Sequence, residues 1–297
     1  MELQWPLIVF TTFICLSAGT FGSIAVVSLR EDYRQIQLPG LIVAFAALII
    51  GGGASVLHLQ NPARYFGQFG NISSGINQEI IMMALVGIMM VVYFVQLRRR
   101  GDAGKMIKAI SVVLSLVLVA VVGHSYMMAS IPTWNTILLP IYYLINAILL
   151  GVLITALILV MGKSDATQGS RLVTVALLAL GAFALITLAY VFYIATLPGT
   201  VYTEVLHSDI TTVPPVDPST IGTRLLSGDL AFALWGAVVV LGLVLPMIIL
   251  FVAKKAAEVG TPRLMRGSTA ASIALVVVGC LAFRALLYFA GASVFIY

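Results

Sequence analysis

The sequence predicts an all-α polytopic membrane protein, and three observations carry that prediction. Of its 297 residues 61% are hydrophobic and only 9% are charged, with a mean hydropathy of +1.11. Soluble domains carry about 25% charged residues, so this chain lacks the polar surface that a water-soluble globule needs. Apolar runs of 20 or more residues recur from end to end, each long enough to cross a hydrocarbon core of ~30 Å at ~1.5 Å per residue. The breaks between the runs hold turn residues and most of the charge, as in "REDYRQ", "RRRGDAGK" and "GKSDATQGSR". Helices satisfy every backbone group within such a segment, so each run reads as a spanning helix.

Eight spans are expected, at about 6–29, 38–58, 79–97, 107–129, 137–161, 171–197, 229–253 and 268–292. The first follows a single charge, Glu2, and continues for over 20 residues, which is unlike a cleaved signal peptide. "SIPTW" separates the fourth span from the fifth. The longest break, 198–228, contains "TTVPPVDPST" and is expected to be irregular exposed chain. With no soluble domain and no internal repeat evident in the sequence, residues 1–297 are expected to form one transmembrane domain. Cys15 and Cys280 lie in apolar runs at opposite ends of the chain. Two such residues fall short of the roughly four ligands of an iron–sulfur cluster or zinc site. Both are expected to be small apolar side chains facing a neighbouring helix.

Charge sets the expected direction of the spans. The loops after spans 1, 3, 5 and 7 hold 13 of the 16 Lys and Arg, whereas those after spans 2, 4 and 6 hold only Arg64 and Arg224. Arg284 belongs to span 8. By the positive-inside rule the odd loops are cytoplasmic, and both termini face the non-cytoplasmic side. In such a chain the net charge of +5 reports orientation and not a nucleic-acid partner.

With that direction, ionisable residues collect at the outer rim. His58 ends span 2 and Glu79 opens span 3. His124 and Tyr126 close span 4, and Asp229 opens span 7. Arg284 falls about 24 Å along span 8, near the outer edge, with Tyr288 one turn on along the same face. The middles of the spans are expected to be free of charge. Ionisable groups next to hydrocarbon are costly and tend to mark function. Plainer roles exist for each. His58 can be an interfacial residue, Glu79 a solvated one, and Arg284 can snorkel. Arg64 can pair with lipid phosphate, with Glu79 or with a partner subunit. His124 can bond across helices. Trp5 and Trp134 fit an interfacial belt, Gly51-Gly52-Gly53 fits close helix approach, and His207 fits a solvated loop.

The chemistry that this rim suits is oxidation of a lipid-soluble quinol, which releases two protons and two electrons. A histidine accepts a hydrogen bond or proton from a ring hydroxyl because its pKa lies near neutrality. A nearby carboxylate takes the proton on to water. Neither step needs a metal.

Five stretches strengthen this reading: "QWPLIVFTTF", "SVLHLQNPARYF" followed by "NQEI", "IPTWNTILLPIYYL", and "FRALLYFAGA". In this order they resemble the membrane-anchor subunit of dimethyl sulfoxide reductase over essentially the whole chain, with eight spans in both. The resemblance implies an anchor that binds menaquinol and passes electrons to a ferredoxin-like iron–sulfur subunit, which feeds a molybdopterin catalytic subunit. It implies a multi-pass protein of the bacterial cytoplasmic (inner) membrane, serving anaerobic respiration, with no haem, iron–sulfur cluster or molybdenum in this chain. The family's quinol-site histidine falls on His58, within "LHL", and its important glutamate on Glu79, within "NQEI". Arg64, Arg284 and Tyr288 complete the expected quinol-binding set. The stretch before "PTW" is shorter than the family's, and "HSY" at 124–126 replaces an arginine-containing stretch, so no family role passes to His124.

Two other readings stay open at this point. A b-type haem held by His58 and His124 needs only those two imidazoles. A secondary transporter is compatible with eight spans, although transporter sites usually lie near the midplane on broken helices.

Overall fold

The computed structural model describes residues 3–30, 34–57, 74–162, 166–197 and 218–291. Nine α-helices follow one another among them: α1 (Trp5–Arg30), α2 (Arg34–Leu57), α3 (Gly75–Arg100), α4 (Lys105–Ser125), α5 (Leu138–Met161), α6 (Ala166–Ala195), α7 (Pro218–Leu226), α8 (Leu245–Glu258) and α9 (Pro262–Ala290). A π-helical stretch, Ala233–Val244, leads directly into α8 and makes one continuous span with it. Eight segments are long and apolar enough to cross a membrane. The protein is therefore all-helical and multi-pass. His58 and Arg64 lie outside the described residues, as does His207.

The short breaks place successive helices antiparallel, and contacts at both rims confirm the pairing. At one rim the start of α3 meets the end of α4 through Glu79 and Ser125. At the other, the Lys108 ammonium near the start of α4 donates to the Ser28 carbonyl of α1 at 2.9 Å and pairs with Asp102 at 2.7 Å. Gln37 donates to the same carboxylate at 2.8 Å and accepts from the Tyr93 hydroxyl at 3.0 Å. This network ties α1, α2, α3 and α4 at the rim where the loop cations gather, and leaves the buried lysine paired.

Lipid supplies no hydrophobic drive between helices, so close packing and interhelical hydrogen bonds hold the bundle. α1 and α5 approach until a Cβ at Gly19 would meet the Ala147 carbonyl, and one at Gly151 the Gly19 carbonyl. Gly242 and Gly279 do the same between the π-helical stretch and α9. The Gly51-Gly52-Gly53 run does less than expected. Gly51 alone faces a neighbour, α1, while Gly52 and Gly53 meet nothing within 4 Å.

Two loops differ from the sequence reading. Part of the 198–228 break is helical: α7 is held by Arg224, which pairs with Asp229 at 2.7 Å. The α4–α5 connection is buried rather than merely interfacial. Trp134 is 4% exposed and its indole donates to the Leu287 carbonyl of α9 at 2.9 Å. The Tyr190 and Tyr193 hydroxyls of α6 donate to the Thr133 and Pro132 carbonyls at 2.9 and 3.1 Å. An indole whose N–H finds a carbonyl can enter the protein, so Trp134 leaves the belt. Trp5, at 55% exposure, fits it.

Candidate functional site

Glu79 sits one turn into α3, is 7% exposed, and accepts a hydrogen bond from the Ser125 hydroxyl at the last residue of α4. Gly75 makes this approach possible, since a Cβ there would lie 2.9 Å from the Ser125 side chain. The Ser125 hydroxyl also lies 2.9 Å from the Val122 carbonyl. The pair thus has a bonded arrangement for either state of the carboxyl group. When Glu79 is ionised, Ser125 donates to it; when Glu79 carries a proton, it can donate to Ser125 Oγ while Ser125 donates to Val122. A carboxylate so placed can take up and release a proton without losing its partner.

Relative height brings the end of α2 to the level of this group. Leu48 of α2 lies 3.5 Å from the position of a Cβ on Gly87 of α3. Leu57 is nine residues on from Leu48, and Glu79 eight residues back from Gly87, so antiparallel helices bring both about 12–14 Å toward the same rim. Leu57 is 79% exposed, and Ile76 and Ile81 on α3 are also exposed. This edge is apolar and open to lipid. His58 directly follows Leu57 in the sequence.

Behind Ser125 begins an aromatic layer. The Tyr126 ring lies 6.2 Å from Trp134 and 6.4 Å from Tyr143, and Trp134 meets Tyr288 edge-on at 5.0 Å. Tyr126 follows the last helical residue of α4; burial, with a smaller contribution from Glu79, holds its phenol well above the ordinary range. Tyr126 is therefore a neutral group. His124, one residue before Ser125, is exposed instead of facing inward.

Arg284 is 2% exposed and does not snorkel. Its Nε donates to Thr11 Oγ1 at 3.1 Å, and its Nη2 to Asn146 Oδ1 at 3.0 Å and to Cys15 Sγ at 3.4 Å. The guanidinium lies 4.9 Å from the Tyr143 ring centre and 5.5 Å from that of Tyr142, within cation–π range. Asn146 in turn donates to Cys280 Sγ at 2.9 Å. The two cysteines do face neighbouring helices, but as polar partners of this cluster. Helical side chains tilt toward the N-terminus, which carries the Arg284 head group from its backbone down toward Cys280 and Cys15. Cys15 is ten residues into α1, or about 15 Å from its start. The bilayer interior thus holds a cation, contrary to the expectation of uncharged span middles. Arg284 and Tyr288 come together with Thr11, Tyr126, Trp134 and Tyr143 around a cavity of about 10 Å³, enough for one water.

The model of the DMSO reductase anchor-subunit family matches residues 1–288. The protein belongs to that family. It is 28% identical to the C subunit of the anaerobic dimethyl sulfoxide reductase of Escherichia coli (strain K12) over 188 residues, 60% of this chain and 65% of that one. It is 26% identical to the anaerobic dimethyl sulfoxide reductase subunit YnfH of the same organism over 164 residues, 52% of this chain and 57% of that one. The matched part of this anchor subunit thus spans less than two thirds of either relative. Trp134, of "PTW", fastens the α4–α5 connection to α9 beside Tyr288. The Asn146–Arg284–Cys15 cluster is what the sequence reading misses. Its signal is an arginine, an asparagine and two cysteines, each isolated in an apolar run.

Proposed function

We propose that this anchor subunit binds menaquinol and oxidises it at the rim formed by α2, α3 and α4. The single observation that carries the reading is the buried Glu79 carboxylate, bonded to Ser125 at a lipid-accessible edge. Menaquinol enters from lipid along the apolar ends of α2 and α3, its tail remaining in hydrocarbon. His58 hydrogen-bonds one ring hydroxyl and assists its deprotonation, and Glu79 accepts a proton and relays it to water. Arg64 lies on the same outer connection and steadies the ring or a partner subunit. Arg284 and Tyr288 back the site from inside. The space between them has room for a water and not for a ring, so they act on the quinol through the Tyr126 layer.

Each turnover converts one quinol to quinone, two protons and two electrons. The electrons pass to a ferredoxin-like iron–sulfur subunit docked over the connections at this rim, and onward to a molybdopterin catalytic subunit. Both termini and this rim face the non-cytoplasmic side of the bacterial inner membrane, in keeping with the loop cations. An arginine does not exchange protons in proteins. The buried cation therefore offers no proton wire, and protons and electrons leave on one side without charge crossing the membrane. Haem ligation by His58 and His124 draws no support from His124, which is exposed.

Binding of a quinol-analogue inhibitor to the assembled complex tests the site. His58→Ala is expected to weaken binding at least tenfold while the complex still assembles. Unchanged binding in an assembled complex would overturn the assignment.

A further inference from the structure

Between mid-membrane and the rim opposite Glu79, four helices enclose a second space. α1 packs on α4 and α5, and α5 packs on α6, so that α4 and α6 flank a floor made by α1 and α5. Small residues keep that floor low: Ala18, Gly19, Gly22 and Ser23 on α1 and Ala147 on α5. The result is a groove of about 590 Å³, within the range of small-molecule sites. Its lipid-facing edges carry the exposed side chains of Val26, Leu116, Ile148 and Val175.

Ser115 is 3% exposed and lines the groove, yet its hydroxyl has no hydrogen-bond partner among the described residues. Ser111, Thr155, Thr187 and Ser272 each donate to the carbonyl four residues back. Ser115 does not, and its hydroxyl lies 3.6 Å from where a Cβ on Gly22 would stand. A buried hydroxyl without a partner costs free energy that a ligand acceptor would recover. Ser115 is the middle residue of α4, about 15 Å from either end. Gln168 and Arg171 line only the rim end of the groove, near the start of α6, and Arg171 is already engaged within the protein. Among the described residues no carboxylate or imidazole lines the groove.

Depth decides the occupant. The ester carbonyls of a phospholipid stay in the interfacial layer, outside a hydrocarbon core ~30 Å thick, and do not reach a hydroxyl at its middle. A membrane quinone dissolves in that core, is uncharged, and carries ring carbonyls that only accept. We propose that the groove is a second quinone site, which holds the oxidised ring with one carbonyl on Ser115 Oγ. The ring lies over Gly19 and Gly22, and the isoprenoid tail leaves past Leu116 and Ile148 into lipid. With no group in the lining to take a proton, this site stores quinone and does not oxidise quinol. The proposal rests on the reading that this subunit works on quinol. Its site is separate from the Glu79 rim by about 15 Å along α4, the rise from Ser115 to Ser125.

Photolabelling of the assembled complex with a prenylated azido-naphthoquinone tests it, the labelled peptides being located by mass spectrometry. The unaltered protein is expected to take label on the α1 and α4 peptides around Gly22 and Ser115. Excess menaquinone is expected to suppress that label about tenfold, and excess dioleoyl phosphatidylcholine to leave it within about twofold. Ser115→Ala is expected to lower it roughly fivefold, the loss of one hydrogen bond. Val175→Trp, which fills the groove from its exposed edge, is expected to abolish it, and unchanged thermal midpoints would show that both variants fold. His58→Ala is expected to leave the groove label unchanged. Label at the α2–α3 rim alone would overturn this site and leave the quinol reading standing, and label in the groove alone would do the reverse. Suppression by phosphatidylcholine equal to that by menaquinone, or unchanged labelling of Ser115→Ala, would also overturn the proposal.

Discussion

The hydroxyl of Ser125 donates to the carboxylate of Glu79, joining the last residue of α4 to the first turns of α3. The carboxylate is buried in an apolar rim, a costly placement, and ionisable groups so placed tend to mark function.

Removal of the hydroxyl tests that function. Ser125→Ala leaves Glu79 without its partner, and quinol oxidation by the assembled complex is expected to fall several-fold. Ser125→Thr retains the hydroxyl and is expected to restore most of the rate. Steady-state oxidation of a menaquinol analogue reads both.

Arg284 holds α1, α5 and α9 together through Thr11, Cys15 and Asn146. Arg284→Ala strands the Asn146 carbonyl and opens a cavity, with an expected loss of more than about 2 kcal/mol. Arg284→Lys is expected to recover only part, because an ammonium cannot reproduce the planar fork or its stacking on Tyr143. Thermal unfolding in detergent measures both.

Gly151 and Gly19 let α1 touch α5 backbone to backbone. Gly151→Leu forces the two apart and is expected to cost more than about 2 kcal/mol, as overpacking of a tight contact does. A lower thermal midpoint, with α6 and α9 contacts also loosened, is the expected observation.

These contacts mark where sequence reading runs out. The eight spans, and the place of Glu79 near the start of the third, are legible because length and hydropathy depend on residue order alone. Arg284 reads as an edge residue because its backbone position is near the edge; the downward tilt of its side chain, and the Asn146 and Cys15 that receive it, are properties of packing. Residue type assigns Trp134 to the belt, whereas a carbonyl on α9, 153 residues away, draws it inward. The glycines that matter are Gly19 and Gly151 rather than the conspicuous run at 51–53, since close approach depends on which face meets a neighbour. α7 is hidden among prolines and threonines.

The Arg224–Asp229 pair gives a pH dependence outside the spans. The guanidinium holds the Asp229 carboxyl below its ordinary value, so its support for the α7 connection is present above the unfolded carboxylate range. That support is lost as pH falls through the depressed value. Protection against hydrogen exchange in residues 223–230, taken relative to the intrinsic rate at each pH, is expected to fall at acid pH, and also in high salt, because the pair is exposed and screened. Asp229→Asn is expected to show the faster exchange already at neutral pH.

Proton acceptance by Glu79 is the central claim, and the rate of menaquinol-analogue oxidation by a Glu79→Gln complex tests it most directly. Glutamine keeps the shape and a hydrogen bond to Ser125 but cannot take the proton. The expected result is a rate at least tenfold below that of the unaltered protein, with assembly and inhibitor binding retained. A Glu79→Gln complex that oxidises the quinol at the normal rate would contradict it.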